Sequence, residues 1–123
     1  MILVDTSVWA DHFRRGDSGL AALLNEGGVL THPLIIEELA CGSLPRRKET
    51  LDLLRALTVA PVAEHDEVVS FIANERLHGS GLGAVDVHIL ASARLAGAGV
   101  WSKDRALARE AKRLGLGGGE GAV

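Results

Sequence analysis

Residues 1–9 read MILVDTSVW, and this stretch decides the fold. The short apolar run from Met1 to Val4, ended by polar residues, is typical of a buried strand. From Val8 to Phe13 the apolar side chains recur on one side of a helix. We therefore predict that the chain begins with a central strand that leads directly into a helix.

The rest of the chain continues the alternation of strands and helices. Brief strands are predicted at Val29 to Thr31 and at Val100-Trp101, with a strand or loop at Val59 to Ala63. Strands that alternate with helices favour a parallel sheet, so the predicted fold class is α/β. The predicted helices span residues 20–24, 33–41, 46–57, 64–77, 85–95 and 105–114, and the helix at 64–77 is expected to turn Val68, Val69, Ile72 and Ala73 inward.

Length and composition limit the class of protein. A chain of 123 residues is one domain, which buries roughly two thirds of the surface that its unfolded form exposes. Apolar residues make up 47% and aromatic residues 3%, so aliphatic side chains must fill the core. The net charge of −3 argues against a general polyanion binder. Neither a membrane span nor a secretory signal is visible, and a cytoplasmic protein is expected.

Cys41 is the single cysteine, which excludes an internal disulfide. It lies among apolar residues near the end of a predicted helix, and we expect a buried, inert thiol.

Three aspartates lie where predicted elements meet. Asp5 closes the first strand, Asp104 follows the strand at Val100-Trp101, and Asp86 opens a helical run. In parallel sheets, ligand sites lie at the carboxyl ends of the strands, which favours a functional role for Asp5 and Asp104. Each aspartate taken singly has a structural alternative, because Asp is among the best helix N-caps.

Glu38 has no such alternative, because it lies inside a predicted helix. The apolar residues of that helix form one face, Glu37 points nearly opposite to it, and Glu38 lies on its flank. A carboxylate at the edge of a core is costly unless it is paired or bound to a metal, so Glu38 is a candidate site residue.

A pocket that gathers Asp5, Glu38, Asp86 and Asp104 would need a divalent cation, because crowded carboxylates cannot all stay ionised without one. Hard carboxylate oxygens suit Mg²⁺ or Mn²⁺, and the sequence has no His/Cys cluster with the spacing of a zinc site. His88 lies two residues from Asp86, on a different helix face, and is interpreted as a core or surface histidine.

The segment from 94 to 113 is basic, and two explanations of its charge are open. Cations near the C-terminus of a solvated helix interact favourably with the helix dipole. The same cations would also contact the phosphates of a nucleic acid. The six basic residues in this segment are Arg94, Lys103, Arg105, Arg109, Lys112 and Arg113, against two acidic ones, Asp104 and Glu110.

Four motifs together resemble the PIN-domain ribonucleases, and most of all the VapC toxins of bacterial toxin-antitoxin pairs. They are ILVDTSVW at 2–9, ELACG at 38–42, DVHILASA at 86–93 and VWSKD at 100–104, and the resemblance extends over residues 1 to about 114. It implies a three-layer α/β/α fold with a short central parallel sheet. It also implies an endoribonuclease dependent on Mg²⁺ or Mn²⁺ that leaves a 5′-phosphate and a 3′-hydroxyl, is usually a homodimer, and is held inactive by a cognate VapB-type antitoxin.

The resemblance also implies roles for individual residues. Asp5 and Asp86 correspond to the principal metal ligands, Glu38 and Asp104 to the remaining acids, and Thr6 and Ser102 to supporting hydroxyl residues. Two departures stand out. The family commonly has Thr where Ser102 stands, and it commonly closes with another strand where this chain has a Gly-rich tail at 115–123, which we expect to be loose.

Three other functions remain open. A receiver-like signalling domain also binds Mg²⁺ at an acidic site, but it needs a middle strand that ends in the aspartate to be phosphorylated. A nucleotide-binding module is suggested by GSGLGA at 79–84, yet that motif requires a preceding strand, and a helix is predicted there. A non-catalytic PIN scaffold is the third possibility, and four intact acids argue against it.

Overall fold

The computed structural model describes residues 1–118. Within these residues it contains a four-stranded parallel sheet in the order β3-β2-β1-β4. The first strand is therefore central, as predicted. The strands are β1 Ile2–Val4, β2 Val29–Thr31, β3 Thr58–Val59 and β4 Gly99–Trp101.

Seven helices connect and follow these strands in the described range. Several begin at residues that the sequence favours for this position, such as Pro33 in the first turn of α3 and Asp17 at the N-cap of α2. The helices are α1 Thr6–Arg15, α2 Ser18–Asn25, α3 Pro33–Ala40, α4 Arg47–Ala56, α5 His65–Asn74, α6 Ala84–Ala96 and α7 Arg105–Arg113.

Both faces of the sheet are covered. Leu3 pairs with Leu30 and with Val100 on one face, and all three side chains are buried. On the other face Val4 pairs with Trp101, and both are buried as well. Side chains buried on both sides of a parallel sheet require helices on both sides. The predicted three-layer α/β/α fold with a short central parallel sheet is confirmed.

The inward face predicted for the fifth helix is partly wrong. Val68 is buried and Ile72 is half-buried, but Val69 is 52% exposed and Ala73 is also exposed. Helix α5 has α6 as its main helical neighbour, so only a narrow stripe of α5 is covered. The expectation for Cys41 is also wrong. It is the exposed C-cap residue of α3, beyond the end of the buried stripe of that helix.

The outer edge of β4 continues beyond the last predicted helix. Gly117 forms a parallel bridge with Val100, whose N–H donates to the Leu116 carbonyl at 2.6 Å and whose carbonyl accepts from the Gly118 N–H at 3.0 Å. Residues 116–118, at the start of the predicted tail, thus lie against the sheet, and residues 119–123 of that tail lie outside the described range. Every helix in the described range is too short or too polar to span a bilayer.

Candidate active site

Asp5 follows β1 directly and is 6% exposed. It is the N-cap of α1, and its Oδ2 accepts a hydrogen bond from the Ser7 hydroxyl at 2.7 Å and a longer one from the Ser7 N–H at 3.4 Å. A buried carboxylate needs such donors, because burial without them is costly. The strand end and the helix start together fix the orientation of this side chain.

The turn between β4 and α7 reaches the same carboxylate from the other side. The Ser102 hydroxyl donates to Asp5 Oδ2 at 2.8 Å, and the Lys103 N–H donates to the Ser7 hydroxyl at 2.9 Å. The Asp104 N–H donates in turn to the Ser102 hydroxyl at 3.0 Å, while Asp104 Oδ1 caps α7 by accepting from the Leu107 N–H at 3.0 Å. Hydrogen bonds therefore connect Asp104 to Asp5 through a single serine.

Glu38 is joined to the start of α1 by a second hydroxyl. The Thr6 hydroxyl donates to Glu38 Oε1 at 2.7 Å across 32 residues of sequence. Glu38 is exposed, so the prediction of a carboxylate held at the edge of the core is wrong. The contact with Thr6 orients it instead, and Glu37 is also exposed, as predicted.

Asp86 is the third residue of α6 and is half-buried. Its Oδ2 accepts from the Gly83 N–H at 3.1 Å. Burial raises the pKa of Asp86, and the negative charges of Asp5, Asp104 and Glu38 raise it further. These three charges act on Asp86 because the fold brings all four acids to one edge of the sheet.

The four acids share one pattern. Each commits one carboxylate oxygen to a hydrogen bond with the protein, and in the described part of the chain none of the second oxygens receives one. Within residues 1–118, however, no three acidic, His or Cys side chains lie close enough to enclose a metal ion as they stand. The four second oxygens are hard donors of the kind that Mg²⁺ and Mn²⁺ bind, and a cation would relieve the repulsion felt at Asp86. The chemistry of the donor atoms therefore suits a divalent cation, and the side chains would have to move closer together to enclose one.

Two residues of this site were missed by the sequence analysis. Ser7 donates to Asp5, and its position two residues after an N-cap was the signal that could have identified it. Lys103 was counted only among the cations of the basic segment. Its side chain binds Asp11 and Asp17, so the contact depends on tertiary structure that the sequence pattern does not reveal.

Most of the basic segment is engaged in ion pairs. Arg94 pairs with Glu75, and Arg109 and Arg113 both pair with Glu110, which is 7% exposed. The charges of these three arginines are therefore largely neutralised by acidic side chains of the protein itself. In the described residues, Arg105 and Lys112 are the members of the segment that form no ion pair.

His88 is half-buried, and its ring centroid lies 6.4 Å from that of the buried His32. Burial and the neighbouring His88 lower the pKa of His32. This surrounding supports the interpretation of His88 as a structural histidine.

Comparisons with known proteins agree with this architecture. Residues 2–113 match the family model described as PIN domain. Ribonuclease VapC32 of two Mycobacterium tuberculosis strains is 50% identical over 108 residues, which is 87% of this chain and 87% of the relative. The crystal structure of FitAcB from Neisseria gonorrhoeae superimposes with a TM-score of 0.62 at 24% identity, covering 91% of this chain and 94% of that one. PAE2754 from Pyrobaculum aerophilum gives a TM-score of 0.60 at 17% identity, covering 98% and 81%. The two structures share the fold, and the sequence match goes further: this chain belongs to the PIN-domain family, among the VapC ribonucleases.

Proposed function

We propose that this protein is an endoribonuclease that uses a divalent cation, Mg²⁺ or Mn²⁺, to hydrolyse RNA phosphodiester bonds. The observation that carries the proposal is the gathering of Asp5, Glu38, Asp86 and Asp104 at one edge of the sheet, each with one oxygen that accepts no hydrogen bond from residues 1–118. Family membership supports the same activity, since the relative that is 50% identical is named a ribonuclease.

Asp5 and Asp86 are the proposed metal ligands, through the oxygens that take no hydrogen bond from the described protein. Ser102 and Ser7 hold the other oxygen of Asp5, and Gly83 holds the other oxygen of Asp86. Carboxylates fixed in this way lose little conformational freedom when they bind an ion.

The bound cation would supply positive charge that polarises water and neutralises the scissile phosphate. Glu38 and Asp104 are exposed at the site, where either carboxylate can orient the attacking water and accept its proton. Thr6 keeps Glu38 in place through the 2.7 Å contact. The expected products carry a 5′-phosphate and a 3′-hydroxyl.

Cleavage of a structured RNA by the purified protein tests this proposal. We expect cleavage with Mg²⁺ or Mn²⁺, no cleavage in excess EDTA, and a loss of at least about a hundredfold in Asp5→Asn, because outer-shell changes alone commonly cost 10–100-fold. Asp66→Asn, at an exposed position in the first turn of α5, is the matched control and should cleave normally. Equal cleavage in EDTA, or by Asp5→Asn, would refute the metal-dependent mechanism.

The other functions considered fit the structure less well. The strands in the middle of the chain, β2 and β3, end at Thr31 and Val59, and neither is followed by the aspartate that a receiver-like domain would phosphorylate there. The GSGLGA motif at 79–84 follows the helix α5, and not the strand that a nucleotide-binding loop requires. The intact set of acids disfavours a non-catalytic scaffold.

We further propose that a VapB-type antitoxin binds an apolar groove between α1, α2 and α4. The groove has a volume of about 320 Å³, and Leu53 on its rim is 70% exposed. One wall is α1, whose N-cap residue is Asp5, so a bound segment would lie along the helix that follows this candidate metal ligand. Such grooves suit the apolar face of an amphipathic helix. The lining residues are Trp9, His12, Phe13, Leu24, Thr50, Leu53, Leu54 and Leu57.

A homodimer is the assembly proposed for this chain. Large apolar side chains are exposed on the edge strand β3, the loop after it, and helices α5 and α6. Exposed apolar surface of this kind supports self-association. The exposed residues are Val59 at 47%, Val62 at 54%, Val69 at 52% and Leu95 at 53%.

A further inference from the structure

Lys103 lies between Ser102 and Asp104 of the candidate active site. Its side chain, however, points away from the four acids of that site and binds two other aspartates. Its ammonium group donates to Asp11 and, at 3.0 Å, to Asp17. Asp11 belongs to α1, and Asp17 is the N-cap of α2. A single side chain thus ties the turn after β4 to two helices that lie more than 80 residues away in sequence.

Asp11 is built to receive this lysine. It is 5% exposed, and its two oxygens also accept from Arg14 at 2.7 Å and from Arg15 at 3.2 Å. Lys103 and the two arginines hold the pKa of Asp11 well below its usual range, so the carboxylate stays ionised at neutral pH. The two arginines are about 70% exposed, whereas Lys103 is half as exposed and more strongly confined.

The backbone of Lys103 is also fixed, by a contact with the start of α1. Its N–H donates to the Ser7 hydroxyl at 2.9 Å, and that hydroxyl donates to Asp5 Oδ2. On either side of Lys103, the Ser102 hydroxyl donates to the same Asp5 oxygen, and the Asp104 N–H donates to Ser102. A turn held at both its backbone and its side chain has few alternative conformations.

From this arrangement we propose that Lys103 and Asp11 are positioning residues of the active site. Their ion pair fixes the β4–α7 turn, and with it the hydrogen bonds that link Ser102 to Asp5 and Asp104 to Ser102. This inference rests on the proposed function, and it assigns Lys103 to the assembly of the site rather than to contact with RNA.

Phosphate binding and positioning of the turn are two alternative roles of Lys103, and they predict opposite effects of Asp11→Asn. If Lys103 bound phosphate, Asp11→Asn would free its ammonium group from one of its two carboxylate partners, and RNA would bind as well as before or better. If Lys103 positions the turn, Asp11→Asn and Lys103→Met both break the Lys103–Asp11 contact and should both loosen the turn. The effect should be larger in Lys103→Met, because that variant also loses the contact with Asp17. The double variant should then lose less than the sum of the two single variants, because the two changes share one interaction.

The first measurement needs neither RNA nor metal. Hydrogen exchange of the Lys103 and Asp104 amides, followed by NMR in EDTA, should be at least about tenfold faster in Lys103→Met and Asp11→Asn than in the unmodified protein. Lys103→Arg should retain most of the protection, since it keeps the charge. Lys48→Met is the matched control, because it breaks an exposed ion pair with Asp52 on α4 and should leave both amides unchanged.

The second measurement is Mn²⁺ binding by calorimetry, with steady-state cleavage kinetics of an RNA oligonucleotide alongside. We expect Mn²⁺ affinity and kcat to fall about 10–100-fold in both single variants, with KM within about twofold, as for other residues that orient metal ligands. Normal Mn²⁺ affinity with a raised KM in Lys103→Met would overturn the proposal, as would unchanged amide exchange.

Failure of the proposed function is distinguishable from failure of this inference. If the unmodified protein cleaves no RNA, the exchange and Mn²⁺ measurements still test whether the ion pair organises the acids. If Asp11→Asn does not fold, the comparison of Lys103→Met with Lys103→Arg decides the question, because both variants keep Asp11 and only Lys103→Arg keeps a positive charge beside Asp11 and Asp17.

Discussion

Asp5, Asp86 and Asp104 all lie at helix N-termini, where an aspartate commonly serves to cap backbone N–H groups. In each of them the capping hydrogen bonds use one oxygen, and the described protein leaves the second oxygen without a donor. Capping and metal binding are therefore compatible in the same side chain. The helix that an aspartate caps also fixes the direction in which its second oxygen points.

Also at the residue scale, Asp86 should destabilise the metal-free protein at neutral pH. Its folded-state pKa is raised by burial and by three neighbouring acids, so folding favours the protonated form. The corresponding stability is present below the unfolded pKa of about 3.9 and is lost as the pH rises through the folded pKa. An uncharged amide in place of the Asp86 carboxylate still has an oxygen that accepts from the Gly83 N–H. Such a replacement should therefore restore the stability that the charged carboxylate loses.

We expect Asp86→Asn to be more stable than the unmodified protein by about 1 kcal/mol at neutral pH, the usual size of a stabilising change. The gain is modest because Asp86→Asn also removes the favourable interaction of a negative charge with the N-terminus of α6. Chemical denaturation in EDTA should show this gain, which should vanish at about pH 3, where the Asp86 carboxyl group is as uncharged as the amide that replaces it. Asp66→Asn, which has no acidic pocket around it, should gain nothing. A destabilised Asp86→Asn would contradict the electrostatic account.

At the scale of elements, a strand or helix was predictable from the sequence wherever a periodic apolar pattern lay next to a strong boundary residue. The run from Met1 to Val4, closed by Asp5, correctly indicated the central strand, and Pro33 correctly marked the start of α3. Burial of single side chains on peripheral helices was not predictable in this way, as Val69 shows. Periodicity defines an apolar stripe, but only the neighbouring helices decide how much of the stripe is covered.

The candidate site was predictable to a similar degree. Acids at element boundaries could be identified from sequence, because strands and helix caps have local signals. The contact of Thr6 with Glu38 spans 32 residues, and that of Lys103 with Asp11 spans 92. Such pairings depend on how helices dock, which no local pattern encodes.

Two adjacent residues of α4 provide a test of packing at the element scale. Leu54 is 2% exposed and belongs to the core, whereas Leu53 is 70% exposed. Leu54→Ala should cost about 2–5 kcal/mol of unfolding free energy, because it removes buried surface and leaves a cavity. Leu53→Ala should stay within about 0.5 kcal/mol in the isolated protein. Urea denaturation measures both, and equal losses would mean that α4 does not pack as the structure shows.

At the scale of the whole molecule, the described chain leaves large apolar side chains exposed at Met1 and in two further sets of residues. One is the groove between α1, α2 and α4, with Leu53 on its rim. The other extends over β3, α5 and α6 and includes Val69. Because these regions lie on different helices, the proposed antitoxin and the proposed second copy of the chain would not compete for the same surface.

Placing a charge in each region separates the two proposed interactions. We expect Leu53→Glu to weaken capture of the co-expressed antitoxin by at least about tenfold, since a buried unpaired carboxylate costs several kcal/mol, while the protein remains a dimer. Val69→Glu should do the reverse and give a monomer in sedimentation analysis that still captures the antitoxin. Both side chains are exposed in the isolated chain, so neither change should unfold it. If Leu53→Glu dissociated the dimer, or Val69→Glu abolished capture, the assignment of the two surfaces would be wrong.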